Sequence, residues 1–371
     1  MSDIERKMAS VQKIAEIKPI EGADRIVAYR INGWWVVDTV DKFQVGDLVI
    51  YLEIDSWVPT ELAPFLSKGK EPREYNGVKG ERLKTVKLRG AVSQGLLLPI
   101  QTGIGGYPFI KNSIGEHIVV QEGLDVTELL GIQKWEPPIP AQLRGKIAGN
   151  FPSWLRKTDE DRIQNCFKDV SPRLNESWVI EEKVDGSSMT VGYRKGDFIL
   201  DKEGQPIPEE FVVCSRNLSL KLEDEDNTFV RIAKESGIQD AMKSYGRNLG
   251  ISGELIGEGV QGNKYDIKGH RWLVFNIFDV DTGKYVSAEE RQLIIRDLVA
   301  LGATIEQVPV ITAVGTKLLD GLSVDDFLEM AEGKSILNPK TEREGLVFKN
   351  QTDPDISFKA ISDRWLLKTG E

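Results

Sequence analysis

Cysteine and histidine are almost missing from this chain. Its 371 residues hold two cysteines, Cys166 and Cys214, and two histidines, His117 and His270. Neither pair has metal-ligand spacing, which excludes a zinc site built from them and a disulfide framework. Both thiols are expected to be reduced, as in a cytoplasmic protein. Long apolar runs are also missing: no stretch approaches the roughly 18 residues of a membrane span. The opening Met1-Ser2-Asp3-Ile4-Glu5-Arg6-Lys7 has no apolar core for a signal peptide. Positive charge is in deficit, with a net charge of −10, which argues against polyanion binding by the whole surface. Internal repeats and low-complexity tracts are absent.

What remains is an ordinary globular composition, 40% hydrophobic and 29% charged, on a chain long enough for two domains. Residues 1–135 read as short strands with Gly-rich turns, the pattern of a small barrel. Asn32-Gly33 marks a hairpin between two apolar runs, and Gly46-Asp47 leads into the apolar strand at Leu48–Leu52. Three prolines in Pro137-Pro138-Ile139-Pro140 forbid regular structure, so a linker is set at 136–155. From 156 to 371 strand and helix signals mix, which predicts an α+β domain. Thr158 with Asp159, Glu160 and Asp161 reads as a capped helix start.

The rear domain is organised around Lys183-Val184-Asp185-Gly186. A β-rich approach delivers a lysine to an Asp-Gly turn, where glycine is expected to supply a positive φ. Such a four-residue match arises by chance in roughly one chain in ten of this length. The weight therefore lies in an ordered series further along the chain: Ser215-Arg216-Asn217, Gly253-Glu254-Leu255-Ile256-Gly257-Glu258, Trp272 to Asp279, Glu344-Gly345-Leu346-Val347-Phe348-Lys349 and Ser357-Phe358-Lys359.

With Lys183 at its head, this series resembles motifs I, Ia, III, IIIa, IV and V of the covalent nucleotidyltransferases, the ATP-dependent DNA and RNA ligases and the mRNA capping enzymes. Only 12 residues follow Lys359, too few for the C-terminal OB domain usual in DNA ligases and capping enzymes. Ser188 stands where DNA ligases typically carry arginine. Lys157 to Asn165 and Leu88 to Leu97 are similar to segments of RNA ligases with an N-terminal OB domain, and Val11 to Val58 resembles OB domains of tRNA-binding proteins. The resemblance therefore implies an ATP-dependent RNA ligase with an N-terminal OB-like β-barrel.

That resemblance implies roles. Lys183 would attack the α-phosphate of ATP, release pyrophosphate and carry AMP. A lysine of ordinary pKa is protonated at neutral pH, so it needs activation, for which Lys349, Lys359 and a bound Mg²⁺ or Mn²⁺ are the candidates. Glu344 and Lys359 would serve the adenylation step, and Asp185 and Glu344 would hold the metal. Glu254 is a candidate for the ribose, Glu182 for the adenine amine, and Arg216, Lys349 and Arg162 for phosphates or ribose. Phe275 reads either as a ring stacked on adenine or as a core phenylalanine. Two departures stand out: Ser188 replaces a frequent Asn, and Ser357 replaces the first lysine of Lys-x-Lys.

RNA is the expected partner, as a nicked duplex or a broken structured RNA, bound by a monomer. Between Lys68 and Arg89 eight basic residues face three acids, a net +5 in 22 residues. This strip reads as a phosphate-contacting surface, with Lys84, Lys87 and Arg89 foremost, or as a solvated loop and edge strand. Rival readings are a DNA ligase, a guanylyltransferase, or a catalytically silent nucleic-acid-binding protein.

Overall fold

The computed structural model describes residues 6–102, 108–111, 117–136, 146–200, 206–316 and 319–370. The Pro137–Pro140 stretch, at the start of the expected linker 136–155, lies outside them. The chain forms two compact units. One comprises Met1–Pro138 with Asp363–Glu371, the other Ile139–Ser362.

The first unit is β-rich, as its turn spacing predicts. One antiparallel sheet runs in the order Leu96–Pro99, Leu48–Leu52, Ala9–Pro19, Ile26–Ile31, Trp34–Thr39. The long strand Ala9–Pro19 changes partner midway. Its first half pairs with Leu48–Leu52 and its second half with Ile26–Ile31, with an irregularity between Ile14 and Glu16. A bulge of this kind bends the strand and raises its twist, which curls a sheet towards a barrel. A second sheet has the order Gln133–Lys134, Ser56–Pro59, Val78–Arg82, Arg73–Tyr75. Met8, Val11, Ile50, Leu52 and Val58 fill the core between them.

The aromatic rings of this unit are mostly structural. Trp34, Tyr51 and Trp57 are buried, and Tyr75 packs on Trp57 at 5.3 Å. Trp35 is half-buried, with the Arg30 guanidinium over its ring at 5.1 Å. Much of the basic strip is paired locally: Arg73 with Glu81, Lys79 with Glu71, Arg82 with Asp55. Lys84 Nζ donates to the Gly370 carbonyl at 2.5 Å, just past the last helix, Asp363–Thr369. A cation there also complements the helix dipole. Lys87 and Arg89 are exposed on the hairpin Val86–Leu88/Ala91–Ser93.

The second unit is the expected α+β arrangement, built on two sheets. The smaller has the order Asp161–Arg162, Ser357–Ile361, Gly345–Asn350, Trp178–Lys183, Val310–Thr316. Residues directly opposite one another point to the same face. One face therefore collects Trp178, Ile180, Phe348 and Phe358, which pack with the helices Ile163–Val170 and Val324–Ala331. Phe348 and Phe358 stack at 4.7 Å, with Phe327 edge-on to both. The other face collects Glu181, Lys183, Val347, Lys349, Lys359 and Arg162. This sheet is thus half core and half charged.

The larger sheet runs Ile147–Asn150, Leu218–Leu220, Glu210–Ser215, Ser187–Arg194, Leu249–Gly257, His270–Asp279, Lys284–Tyr285. Met189, Val191, Leu255, Trp272 and Val274 face the helices Thr228–Glu235, Ile238–Tyr245 and Ala288–Ala300. Ile256, Leu273 and Phe275 instead gather with Val184, just beyond Lys183.

Two local expectations need correction. The helix expected to open at Thr158 begins only at Ile163, and its first turn holds no acid. Asp161 and Arg162 are extended and pair in parallel with Phe358 and Lys359, so sheet pairing overrides the capping signal. Gly186 does not adopt a positive φ. Glycine is needed there because a Cβ would stand 2.4 Å from the Leu255 carbonyl oxygen.

Candidate active site

Lys183 is the last residue of its strand, directly across from Gly345. That register sets Glu344 beside it, and Lys183 Nζ lies 2.7 Å from Glu344 Oε1. The glycine of Glu344-Gly345 is forced by packing: a Cβ would meet the Ala360 carbonyl oxygen at 2.2 Å. Glu254 stands on the adjoining sheet, paired with Ser188. Asp185 lies two residues beyond Lys183. Its backbone N–H donates to Tyr265 Oη at 2.8 Å, and its carboxylate meets Lys264 Nζ at 2.5 Å.

Three carboxylates thus surround one lysine. Burial disfavours the Lys183 charge, but Glu344, Glu254 and Asp185 outweigh it and hold the ammonium above its ordinary pKa. The price of crowding falls on the acids. Burial, with Glu344 and Asp185 adding to it against the Lys183 charge, raises Glu254 to about 8. Burial and Glu344 raise Asp185 to about 6, against the pull of Lys264. Lys349 and Lys359, the cations expected to activate Lys183, make ion pairs with other acids.

Lys359 Nζ lies 3.0 Å from Asp159 Oδ1, and Arg216 Nη2 lies 3.3 Å from Asp159 Oδ2. Arg162 is opposite Lys359 across the parallel ladder. Asp159, read as a helix-start acid, instead gathers two candidate phosphate-binding cations. Lys349 is buried. Its Nζ lies 2.8 Å from Glu181 Oε2, bonds the Phe275 carbonyl and sits 5.8 Å from the Phe275 ring centroid. Phe275 itself is half-buried among Val184, Ile256 and Leu273.

With this geometry in view, comparison with known proteins gives a consistent answer. An OB-fold domain model matches residues 8–100, and an RNA ligase model matches residues 176–361. The chain is similar to solved structures of Naegleria gruberi RNA ligase. One holds ATP and Mn in a lysine-to-alanine mutant, and one holds pyrophosphate. Each is 37% identical, with a TM-score of 0.82, over 97% of this chain and 98% of the other. A lysine-to-methionine mutant with AMP and Mn matches equally well. No curated protein sequence matches significantly. The chain belongs to the RNA ligase family.

The candidate residues fall into one cluster of Lys183, Glu344, Glu254 and Asp185, a second of Lys359, Arg216 and Arg162, and a third of Lys349 and Phe275. Glu182 is not with them. It faces away from Lys183, its Oε2 accepts from Ile336 N at 2.8 Å, and burial raises its pKa. The buried Oε1 of Glu182 and the buried Oε2 of Glu344 have no hydrogen-bond partner. Among the described residues no group of three or more His, Cys, Asp or Glu is set in metal-ligating geometry. Free carboxylate oxygens beside a lysine nevertheless suit a hard divalent cation that shares its shell with phosphates. Sequence reasoning missed Asp159, Glu181, Lys264, Tyr265 and Arg291. The doubled acid Glu181-Glu182 signals the second of these, and nothing local signals Arg291.

Both cysteines are free. Burial raises each thiol to about 12, so neither is a nucleophile. Among the described residues no helix is long and apolar enough to cross a membrane.

Proposed function

We propose that the protein seals RNA 3′-hydroxyl and 5′-phosphate ends through AMP carried on Lys183 and then on the RNA 5′ end. The observation that carries this reading is the ion pair of Lys183 with Glu344 at a strand end, flanked by Glu254 and Asp185. The spacing of the substituted residues in the Naegleria enzyme supports it. Its solved variants alter a lysine, an aspartate two residues later and an arginine 21 residues earlier. Lys183, Asp185 and Arg162 stand at the same separations. Two further variants replace glutamates, the type of Glu254 and Glu344.

The chemistry is set by the charges. Lys183 must lose a proton before its nitrogen attacks the α-phosphorus, forming N–P as the bond to pyrophosphate breaks. The Glu344 and Asp185 carboxylates oppose that loss and favour the protonated lysine. A divalent cation, like the Mn in the relatives' structures, would compensate those carboxylates when bound and would draw charge from the phosphates. Glu344 and Asp185 are the residues that would hold it. Lys359, Arg216 and Arg162 are the candidates to receive the phosphates, which requires Lys359 and Arg216 to release Asp159. Glu254 reads as the ribose ligand, Phe275 as the ring on adenine, and Glu182, through its unpaired Oε1, as an acceptor for the adenine amine.

The first unit is the proposed RNA holder. Lys87 and Arg89 carry this assignment on their exposed hairpin, with Lys84 committed in part to Gly370. The substrate is read as a nicked duplex or a broken structured RNA, and the protein as a cytoplasmic monomer. Incubation with α-labelled ATP and Mg²⁺, quenched in neutral SDS, tests the reading. Wild-type protein is expected to carry label at Lys183. Label persisting in Lys183→Ala would overturn it.

A further inference from the structure

Arg291 belongs to none of the sequence motifs. It projects from the helix Ala288–Ala300 into the interior and is buried. Its Nη2 ion-pairs with Glu181, and its Nη1 donates to the Phe275 carbonyl at 2.5 Å. Lys349 takes the same two partners from the strand Gly345–Asn350. Glu181, two residues before Lys183, therefore has two cations on one carboxylate. The network joins the strand leading to the reactive lysine, the strand of Phe275 and the strand of Lys349.

Such a network is a poor device for stability. Desolvating three charges costs several kcal/mol per ion, and apolar replacements of buried ion pairs are often neutral or better. Its charge balance suggests another use. Arg291 and Lys349 bring two positive charges against one negative, so one positive charge is left over. Burial, then Arg291 and Lys349 acting against it, leave Glu181 ionised below its ordinary range. Lys349 and Glu181 both lie on the sheet face of Lys183, Lys359 and Arg162, and Lys349 is the cation of the two, beside the Phe275 ring. Glu160 is the other acid near Lys349, and it is held by Asn276.

We propose that Arg291 is a positioning residue for adenylation: it neutralises Glu181, so the charge of Lys349 stays available to the nucleotide phosphates. Its bond to the Phe275 carbonyl fixes the strand under the ring at the same time. This rests on the reading of Lys183 as the adenylated residue. Without Arg291, Glu181 and Lys349 cancel each other, and the surplus disappears.

The test is ATP-dependent labelling of the full chain, with rate and ATP KM measured separately. Arg291→Met is expected to raise the ATP KM and lower labelling kcat/KM by about tenfold or more, the scale of one charge-assisted bond. The double variant Glu181→Gln/Arg291→Met restores the surplus charge on Lys349 and is expected to recover to within about fivefold of wild type. A purely structural role predicts no such recovery. Arg291→Lys, which keeps the charge, is likewise expected within about fivefold. A folded Arg291→Met that labels like wild type overturns the proposal, as does a folded double variant no better than the single one. Should Arg291→Met not fold, the other two decide: either one, folded and at least tenfold slower than wild type, overturns it. Failure of the wild type to label Lys183 would instead overturn the underlying adenylation reading.

Discussion

Replacing Glu344 by glutamine should move two properties of Lys183 in opposite directions. The substitution keeps the shape and removes the charge 2.7 Å from the amine. A charge-assisted hydrogen bond contributes about 1.5–3 kcal/mol against about 0.5–1.5 for a neutral one. The ammonium therefore loses about 1–2 kcal/mol of support, so the neutral amine grows roughly 5- to 30-fold at a fixed pH below its titration. Asp185 and Glu254 remain and limit the change. Lys183 should then react faster with an amine-directed reagent, read peptide by peptide in a mass spectrometer. Labelling by ATP should nevertheless fall about 10²-fold or more, because the variant loses a pre-set charge that the reaction uses. A more available nucleophile in a slower enzyme is the signature of a carboxylate that restrains the lysine at rest and serves the metal in the reaction. The reasoning fails if Glu344→Gln labels within about threefold of wild type. It also fails if the folded variant shows Lys183 less reactive towards the reagent.

Glu254 predicts a pH effect on the nucleotide-free protein. Its folded pKa of about 8 lies above the ordinary 4.5, so the folded state binds the extra proton between these values. Stability present at the acid end of that window is then lost as pH rises towards 8, and Glu254→Gln should flatten this slope in thermal melts. Replacing Lys87 and Arg89 together should weaken RNA binding and flatten its salt dependence, as titrations at several salt concentrations would show. The slope should fall by roughly 0.7–0.9 log–log unit for each phosphate that the hairpin no longer neutralises. An unchanged slope would remove the hairpin from the RNA path. Trp365→Ala should destabilise the first unit, since this buried ring belongs to the helix grouped with it. The cost is about 3–5 kcal/mol, visible in thermal melts as a transition moving down by about 10 °C, and melts that do not move would refute that allocation.

The adenylation motifs were legible because the chemistry fixes residue type and the sheet fixes register. Lys183 and Glu344 are far apart in sequence, yet one antiparallel ladder brings Lys183 opposite Gly345 and so brings the acid to the amine. Short strands with apolar runs, such as Trp178–Lys183 with its Trp-Val-Ile start and Leu249–Gly257, were equally readable. Three kinds of feature were not legible. Asp159 looked like a helix-start acid, since a capping signal is local and the parallel partner strand that overrides it lies 200 residues on. Gly186 looked like a turn glycine, since a carbonyl approaching from Leu255 leaves no mark on its own neighbours. Arg291 stands among Glu289, Glu290 and Arg296, and no local pattern sets it apart from them. Its function depends on which helix face turns inward. In that helix Ile294, Ile295 and Leu298 turn inward with Arg291, so the guanidinium sits on the apolar side. A charge on the buried stripe of an amphipathic helix is costly unless it is paired. That cost, rather than any motif, is what points to Glu181 and through it to Lys349 and the nucleotide site.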